Sequence, residues 1–480
     1  MLAQPFFRDM IVISNFSCFQ EVCQLLKSGK VRLLTGMLAL AAGMLLNMGG
    51  ASAETQTDNV RINFGHTVVN TEKTAPPSEG QTAMQIKNVQ LVWKEIPSAV
   101  RYQVVILKSA EDTRENIALT YNQVYTNGLT VDLSSFGAEA AGFYWKVCPL
   151  DYNGRPVGNM HFSKPKPITA GGKLNVNAPK PTTQFERMDY MPLYPVFSWI
   201  PYGKAKQHEV QVYRVTDAGE KLIRTLQGGE YDVYEDGGYT LPGKYYWRVR
   251  SLNSDGSPLS GWSEKSYFTV EGEKPPFAAL GDSITHGGGA MSVSPGYLLY
   301  DWESYSQVPV KNLGFSGNTT EAMLERFERD VLPASPRVLV VMGGVNDYRL
   351  GTFGSQTVAN LQAIKEKCDA YGIIVVFLTP TPINPTMMVS RAHIDQPPYD
   401  WKKHQQYVND WVMRQQYHVD VATALTDSMG NLRSTYTTDG LHPDYYGKKY
   451  IVEQVGRYLA MNFGWLTSKL TKKAIPTYNN

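Results

Sequence analysis

The chain has 480 residues, 42% hydrophobic and 19% charged, with 46 Lys and Arg against 44 Asp and Glu. That length exceeds a single core and points to about three domains, and the composition excludes an intrinsically disordered chain. Near-balanced charge without a Lys/Arg block leaves no electrostatic footprint for nucleic acid or an acidic membrane surface.

Lys27, Lys30 and Arg32 precede an apolar run over residues 33–46, followed by the small residues Ala51-Ser52-Ala53. That order is a secretory signal peptide, so residues 1–53 are expected to be removed and the protein exported to a periplasmic or extracellular place. A retained anchor is the alternative, but Thr35, Gly36 and Gly43 interrupt the run, and it is shorter than the roughly 20 residues that span a bilayer. No stable membrane insertion is therefore expected after cleavage. The stretch before the run is long for an export signal and leaves the true start codon open; sequencing the mature amino terminus decides it. Cleavage would remove four cationic and two acidic side chains, leaving 42 of each and no net charge. Cys18 and Cys23 would go with it, while Cys148 and Cys368, in different domains, are expected as buried free thiols. No Cys/His cluster has zinc spacing, and no cofactor is expected.

Residues 54–81 are polar, with Pro76-Pro77 and Ser78-Glu79-Gly80, and read as a linker. A repeat follows, in which Leu91-Val92-Trp93 and Tyr144-Trp145-Lys146-Val147 recur about a hundred residues later as Ser198-Trp199 and Tyr246-Trp247-Arg248-Val249. Each copy runs into a turn, at Asp151-Tyr152-Asn153-Gly154 and Asn253-Ser254-Asp255-Gly256. Alternation in Tyr102-Gln103-Val104-Val105-Ile106 and Glu209-Val210-Gln211-Val212-Tyr213 predicts short strands of all-β sandwiches. The copies resemble fibronectin type III modules, in the run from Tyr245 to Arg250 and in Gly261-Trp262-Ser263-Glu264 before the final strand. They are placed at residues 82–172 and 173–272, with their tryptophans as core residues rather than sugar-binding platforms.

Glu271-Gly272-Glu273-Lys274-Pro275-Pro276 is a linker, after which the pattern changes. Buried strands are predicted at residues 278–280, 308–313, 338–342 and 373–378, the last two near-continuous apolar runs of the kind covered on both faces. Helices are predicted at 320–332, capped at Thr320-Glu321, and at 357–371, 401–417 and 445–463. The alternation describes a three-layer α/β domain over residues 275–466 with a mostly parallel sheet, followed by a tail at 467–480. Ligands in such domains bind beyond the carboxyl ends of the strands.

Four short motifs fall at those strand ends. Gly281-Asp282-Ser283-Ile284-Thr285 follows the first strand, where a serine on a tight turn can project into the cleft and turn its own amide toward an oxyanion; alone it could equally cap a helix. In Asn312-Leu313-Gly314-Phe315-Ser316-Gly317-Asn318-Thr319, Gly317 leaves its amide open to a substrate oxygen, or serves only the turn. In Gly343-Gly344-Val345-Asn346-Asp347, the Asn346 amide can donate to the same oxyanion, or merely form the turn. In Asp439-Gly440-Leu441-His442-Pro443-Asp444, one turn can deliver both an imidazole base and a carboxylate to orient it.

Jointly these blocks resemble the SGNH superfamily of GDSL esterases and lipases over residues 276–463. The resemblance implies a flavodoxin-like fold and metal-free acyl transfer. It makes Ser283 the nucleophile, His442 the base and then acid, and Asp439 the orienting carboxylate, with the oxyanion hole formed by the amides of Ser283 and Gly317 and the side chain of Asn346. The first block has Ile-Thr where the family name has Leu, which leaves the nucleophile untouched. His286 reads as a turn or helix-surface residue rather than a cleft residue, His404 and His418 as solvated, and Asp282 as a structural hydrogen-bonding group.

Insertions at residues 287–305 and 381–401 carry Tyr297, Tyr300, Trp302, Tyr399 and Trp401, which could stack on sugars, line an acyl pocket or simply pack. An export signal and fibronectin-like modules ahead of the enzyme resemble the layout of bacterial carbohydrate esterases. The expected function is removal of short acyl groups, acetyl above all, from a glycan or a small acylated molecule. A lipase or lysophospholipase, and a noncatalytic surface protein that binds through its β-modules, are the competing readings.

Overall fold

Alternating and continuous apolar patterns demand different sheets, and the chain builds both. The computed structural model describes residues 85–466, apart from 97–98, 152, 184–190, 273, 289–293, 296–305 and 307. The signal, the linker at 54–81, the tail at 467–480 and the aromatics Tyr297, Tyr300 and Trp302 lie outside the described residues. Those that are described fall within one compact unit, Ala83–Asn480.

The first β-module comprises β1 (Asn88–Val92), β2 (Arg101–Leu107), β3 (Ile117–Val124), β4 (Gly128–Asp132), β5 (Tyr144–Leu150), β6 (Lys166–Pro167) and β7 (Gly172–Leu174). They form two antiparallel sheets, β4-β1-β7 and β3-β2-β5-β6. Strand β7 carries the first of these sheets to Leu174, past the boundary expected at 172. The second module repeats the plan, except that the strand beside β9 comes first in the chain where β7 came last, with β8 (Lys180–Pro181), β9 (Val196–Ile200), β10 (Gln207–Thr216), β11 (Gly219–Gly228), β12 (Asp232–Tyr234), β13 (Gly243–Leu252) and β14 (Ser266–Val270). Its sheets are β12-β9-β8 and β11-β10-β13-β14.

The inward-facing positions of each pair of sheets meet in one apolar cluster, around Trp145 in the first module and Trp199 and Trp247 in the second. These three rings are buried, so they are packing residues. Cys148 and Cys368 are buried free thiols, as expected from their separation in the chain.

The α/β part carries a five-stranded, wholly parallel sheet in the order β16-β15-β17-β18-β19. The strands are β15 (Phe277–Gly281), β16 (Val310–Gly314), β17 (Val338–Met342), β18 (Ile374–Leu378) and β19 (His418–Val419). This is the flavodoxin-like order, whose switch point lies between β15 and β17. Successive residues of β15 and β17 alternate between two clusters, Phe277, Ala279, Val338 and Val340 on one face and Ala278, Leu280, Leu339 and Val341 on the other. Both faces are covered, which is why these strands read as unbroken apolar runs.

The helices are α1 (Ser283–His286), α2 (Thr320–Glu325), α3 (Phe327–Ala334), α4 (Val345–Arg349), α5 (Gly354–Ala370), α6 (Pro385–Ala392), α7 (Trp401–Val412), α8 (Ala422–Leu425) and α9 (Tyr445–Phe463). Several differ from expectation. The helix predicted over 320–332 is broken at Arg326, where ψ turns to 6° and the guanidinium swings inward to hold backbone carbonyls. Its cap is Thr319, whose hydroxyl accepts from the Ala322 amide; Thr320 donates to Asp347 instead. Helix α7 stops at Val412 rather than 417, because the chain must turn to supply the edge strand β19, too short for its pattern to show. Among the described residues no helix is long and apolar enough to cross a membrane.

Candidate active site

The carboxyl ends of β15, β16 and β17 place three of the four motifs together. Beyond β15, the Asp282 carboxylate accepts from the Ile284 amide at 2.9 Å and caps α1, so the turn presents Ser283 as the first helical residue. Ser283 Oγ lies 2.9 Å from His442 Nε2. The other ring nitrogen, Nδ1, lies 2.8 Å from Asp439 Oδ2. An ionised carboxylate can only accept, so Nδ1 carries the proton and Nε2 is the acceptor facing the serine hydroxyl.

Asp439 is fully buried. Burial pushes its carboxyl up, but the neighbouring His442 and the amides of Leu441 and His442, both at 2.8 Å from Oδ1, outweigh that and hold it below the ordinary range. The loop that carries it depends on Gly440, at φ 84°. A Cβ there would lie 2.6 Å from the Asn384 carbonyl oxygen and 2.7 Å from the Met388 amide nitrogen, so only glycine lets α6 approach this closely.

Gly317, at φ 83°, sits in the turn after β16, where the Asn318 amide donates to the Phe315 carbonyl at 3.2 Å. Asn346 lies in the first turn of α4. Its Nδ2 donates to the Asn318 carbonyl at 2.9 Å, and its Oδ1 accepts from Arg349 Nε at 2.9 Å, so the amide is fixed from both ends. Behind it, buried Asp347 accepts from the Thr320 amide and hydroxyl and ties α4 to α2. Asp282 is buried, and that burial, offset in part by the Ile284 amide, pushes its carboxyl up to about 6.

Two histidines differ from expectation. His286 is buried, not surface-lying: its Nδ1 accepts from the Ser316 amide at 3.2 Å and lies 2.9 Å from the Ser316 hydroxyl. Burial, then the charges of Arg326 and Lys448, holds this imidazole down to about 3, so it is neutral. His404 is buried too, with Nδ1 accepting from the Gly354 amide at 3.2 Å and Nε2 3.2 Å from Asp400. His418 is half-buried and its Nδ1 lies 2.7 Å from the Gln415 carbonyl. Trp401 is buried against Tyr348, whereas Tyr399 is 98% exposed.

Residues 279–450 match the family model described as GDSL-like Lipase/Acylhydrolase family. That segment is a GDSL-type acylhydrolase domain, and the reaction class of the family is ester hydrolysis. The solved structures similar to the chain include the lipase/acylhydrolase from Enterococcus faecalis, 23% identical, with 38% of this chain and 94% of that one covered at a TM-score of 0.31. A GDSL-like lipase from Bacteroides thetaiotaomicron is 20% identical over 38% of this chain and 87% of that one, at 0.32. A mutant acetyl-xylooligosaccharide esterase from Geobacillus is 20% identical over 38% and 94%, at 0.29. None of the curated proteins matches the chain.

Arg326, Arg349 and Lys448, which donate to the Gly281 carbonyl, the Asn346 side chain and the Ile284 carbonyl in turn, were not singled out from the sequence. Each is a cation within a helical stretch at a buried or half-buried position. Charge on the inward stripe of a helix is the signal that would have found Arg326 and Lys448.

Proposed function

We propose that the protein is an exported serine esterase that removes short acyl groups, acetyl in particular, from a carbohydrate. The observation that carries the hydrolytic part is the relay Ser283–His442–Asp439, with hydrogen-bonding distances of 2.9 and 2.8 Å. Ser283 Oγ attacks the ester carbonyl as its proton passes to His442 Nε2, and buried Asp439 stabilises the imidazolium. The oxyanion so formed meets the amides of Ser283 and Gly317 and Asn346 Nδ2. Collapse breaks the carbon–oxygen bond to the alcohol, which leaves with the proton from His442. Water, deprotonated by the same imidazole, then releases the acid and restores Ser283.

The remainder of the reading rests on the signal-like residues 1–53, on modules preceding the esterase, and on Tyr399 standing open to solvent within the 381–401 insertion. We read residues 82–172 and 173–272 as fibronectin type III-like sandwiches ahead of an SGNH domain at 275–466. The Tyr245 hydroxyl supports that reading: it donates to the Leu241 carbonyl, four residues upstream, at 2.6 Å, in the manner of a tyrosine corner.

The test is hydrolysis of nitrophenyl acetate and octanoate, then of acetylated xylan, by wild type and Ser283→Ala. Acetate turnover that falls on the order of 10⁴-fold or more in the variant, with acetate preferred over octanoate, supports the reading. Turnover that survives the substitution removes Ser283 as nucleophile, and a preference for octanoate points to a lipase.

A further inference from the structure

Gly317 poses a mechanical problem. A glycine at positive φ has no side chain to anchor it and the widest conformational freedom of any residue, yet an oxyanion donor is effective only when held in place before the reaction. Misplacement by about 1 Å can cost on the order of a hundredfold in rate. The anchoring falls to its neighbours Ser316 and Asn318, and both lead to the second β-module.

The first connection starts at β12. Tyr234 packs edge-on against the His286 ring, with centroids 5.0 Å apart, and against Phe315 at 6.4 Å; His286 and Phe315 are themselves stacked at 5.8 Å. The Ser316 amide and hydroxyl engage His286 Nδ1, so the ring that Tyr234 covers is the one that holds Ser316.

The second connection starts at Tyr194, just before β9. Its hydroxyl donates to Asp330 Oδ1 at 3.0 Å, while Arg326 Nη1 donates to Asp330 Oδ2 at 3.0 Å. Arg326 then reaches the Asn318 side chain with Nε at 2.5 Å, the Leu313 carbonyl with Nη1 at 2.8 Å and the Gly281 carbonyl with Nη2 at 2.9 Å. Arg326 is buried, and so are its bonds to Asp330 and to the Leu313 and Gly281 carbonyls, where hydrogen bonds to a charged group are strongest and hardest to give up. One guanidinium thus fixes the turn holding Gly317 to the strand end that carries Ser283.

We propose that the second β-module is a working part of the active site, in which Tyr234 and Tyr194 are positioning residues that hold Ser316 and Asn318 and thereby aim the Gly317 amide at the oxyanion. This rests on the oxyanion role given above to Gly317 and Asn346. The module therefore acts on the transition state rather than as a tether that delivers substrate.

The test uses the full chain and nitrophenyl acetate and butyrate, with Tyr194→Phe, Tyr234→Phe and Tyr234→Ala beside Asn346→Ala as the reference for a lost donor. Tyr194→Phe and Tyr234→Ala are expected to lower kcat about tenfold each, less than the roughly hundredfold for loss of a whole donor. KM should stay within about twofold, and the same factor should apply to both esters, because a donor acts on the oxyanion and not on the acyl chain. Tyr234→Phe, which keeps the ring contact, should retain most of the activity. Affinity for a boronic acid that adds to the nucleophile should weaken in step with kcat. If Tyr234→Ala does not fold, Tyr194→Phe carries the test, since it removes a single oxygen atom.

Wild-type kcat in these tyrosine variants while Asn346→Ala is impaired overturns the proposal and leaves the oxyanion reading standing. A raised KM at constant kcat, or an altered acetate-to-butyrate ratio, overturns it in favour of a substrate wall. Unchanged kcat in Asn346→Ala as well takes down the oxyanion reading together with the proposal.

Discussion

The two β-modules share a strand plan, and each turns the same edge strand toward the part of the chain that follows it. In the first module that strand is β4: the Thr130 hydroxyl donates to the Pro201 carbonyl at 3.0 Å, and Gly128 lies against the Ile200 side chain. In the second it is β12, which meets His286 and Phe315 through Tyr234. One edge joins a module to a module; the other joins a module to the loops of an esterase. What differs is the side chains that face the neighbour on one short strand, Gly128 and the polar Thr130 in β4 against the aromatic Tyr234 in β12. A domain repeat can thus be recruited into an active site without altering its architecture.

The chemistry itself sets the scale against which any contribution of the modules is measured. Asp439→Asn leaves the space filled but no longer enforces the imidazole tautomer, so kcat for nitrophenyl acetate should fall on the order of 10³- to 10⁴-fold with KM little changed. Asn346→Ala removes one donor and should lower kcat about a hundredfold or more, against which the smaller effects of the second module are judged.

His286, the ring on which Tyr234 packs, gives an acid-dependent signature. The folded protein resists protonating it until about pH 3, whereas the unfolded chain takes up that proton near 6.5. Its contribution to stability is therefore fully present above about pH 6.5 and is lost as pH falls toward 3, at roughly 1.4 kcal/mol per unit. Urea denaturation at pH 6.5 and 5 should show wild type losing about 2 kcal/mol more than His286→Asn; equal losses would place the imidazole in water. The smallest effect belongs to the first module. Thr130→Val should cost about 1 kcal/mol in unfolding free energy and leave kcat unchanged, and a drop in kcat would mean that both modules act on the site.

The parallel sheet was legible because its strands are buried on both faces: β17 coincides with the predicted 338–342, and α9 with the predicted 445–463. Edge elements were not, since the two residues of β19 are too few to carry a period. The break at Arg326 was hidden because a helical pattern records which residues face inward and not that one of them grips four backbone and side-chain oxygens. Ser283, Gly317, Asn346, Asp439 and His442 could be selected because each lies in a short local motif at a strand end. Tyr194 and Tyr234 could not, since their meaning arises from contacts with residues far along the chain, and locally each is one aromatic in a β-module. His286 and His404 read as surface for the same reason: what buries them comes from other elements.

Trapping the acylated protein tests Ser283 as nucleophile at the atom itself. Brief reaction with a nitrophenyl ester or a fluorophosphonate, acid quench, digestion and peptide mass spectrometry should find one adduct, on Ser283, absent from Ser283→Ala and formed far more slowly by His442→Ala. Adduct on another residue, or steady ester turnover in Ser283→Ala with no adduct at all, would contradict a serine nucleophile served by His442.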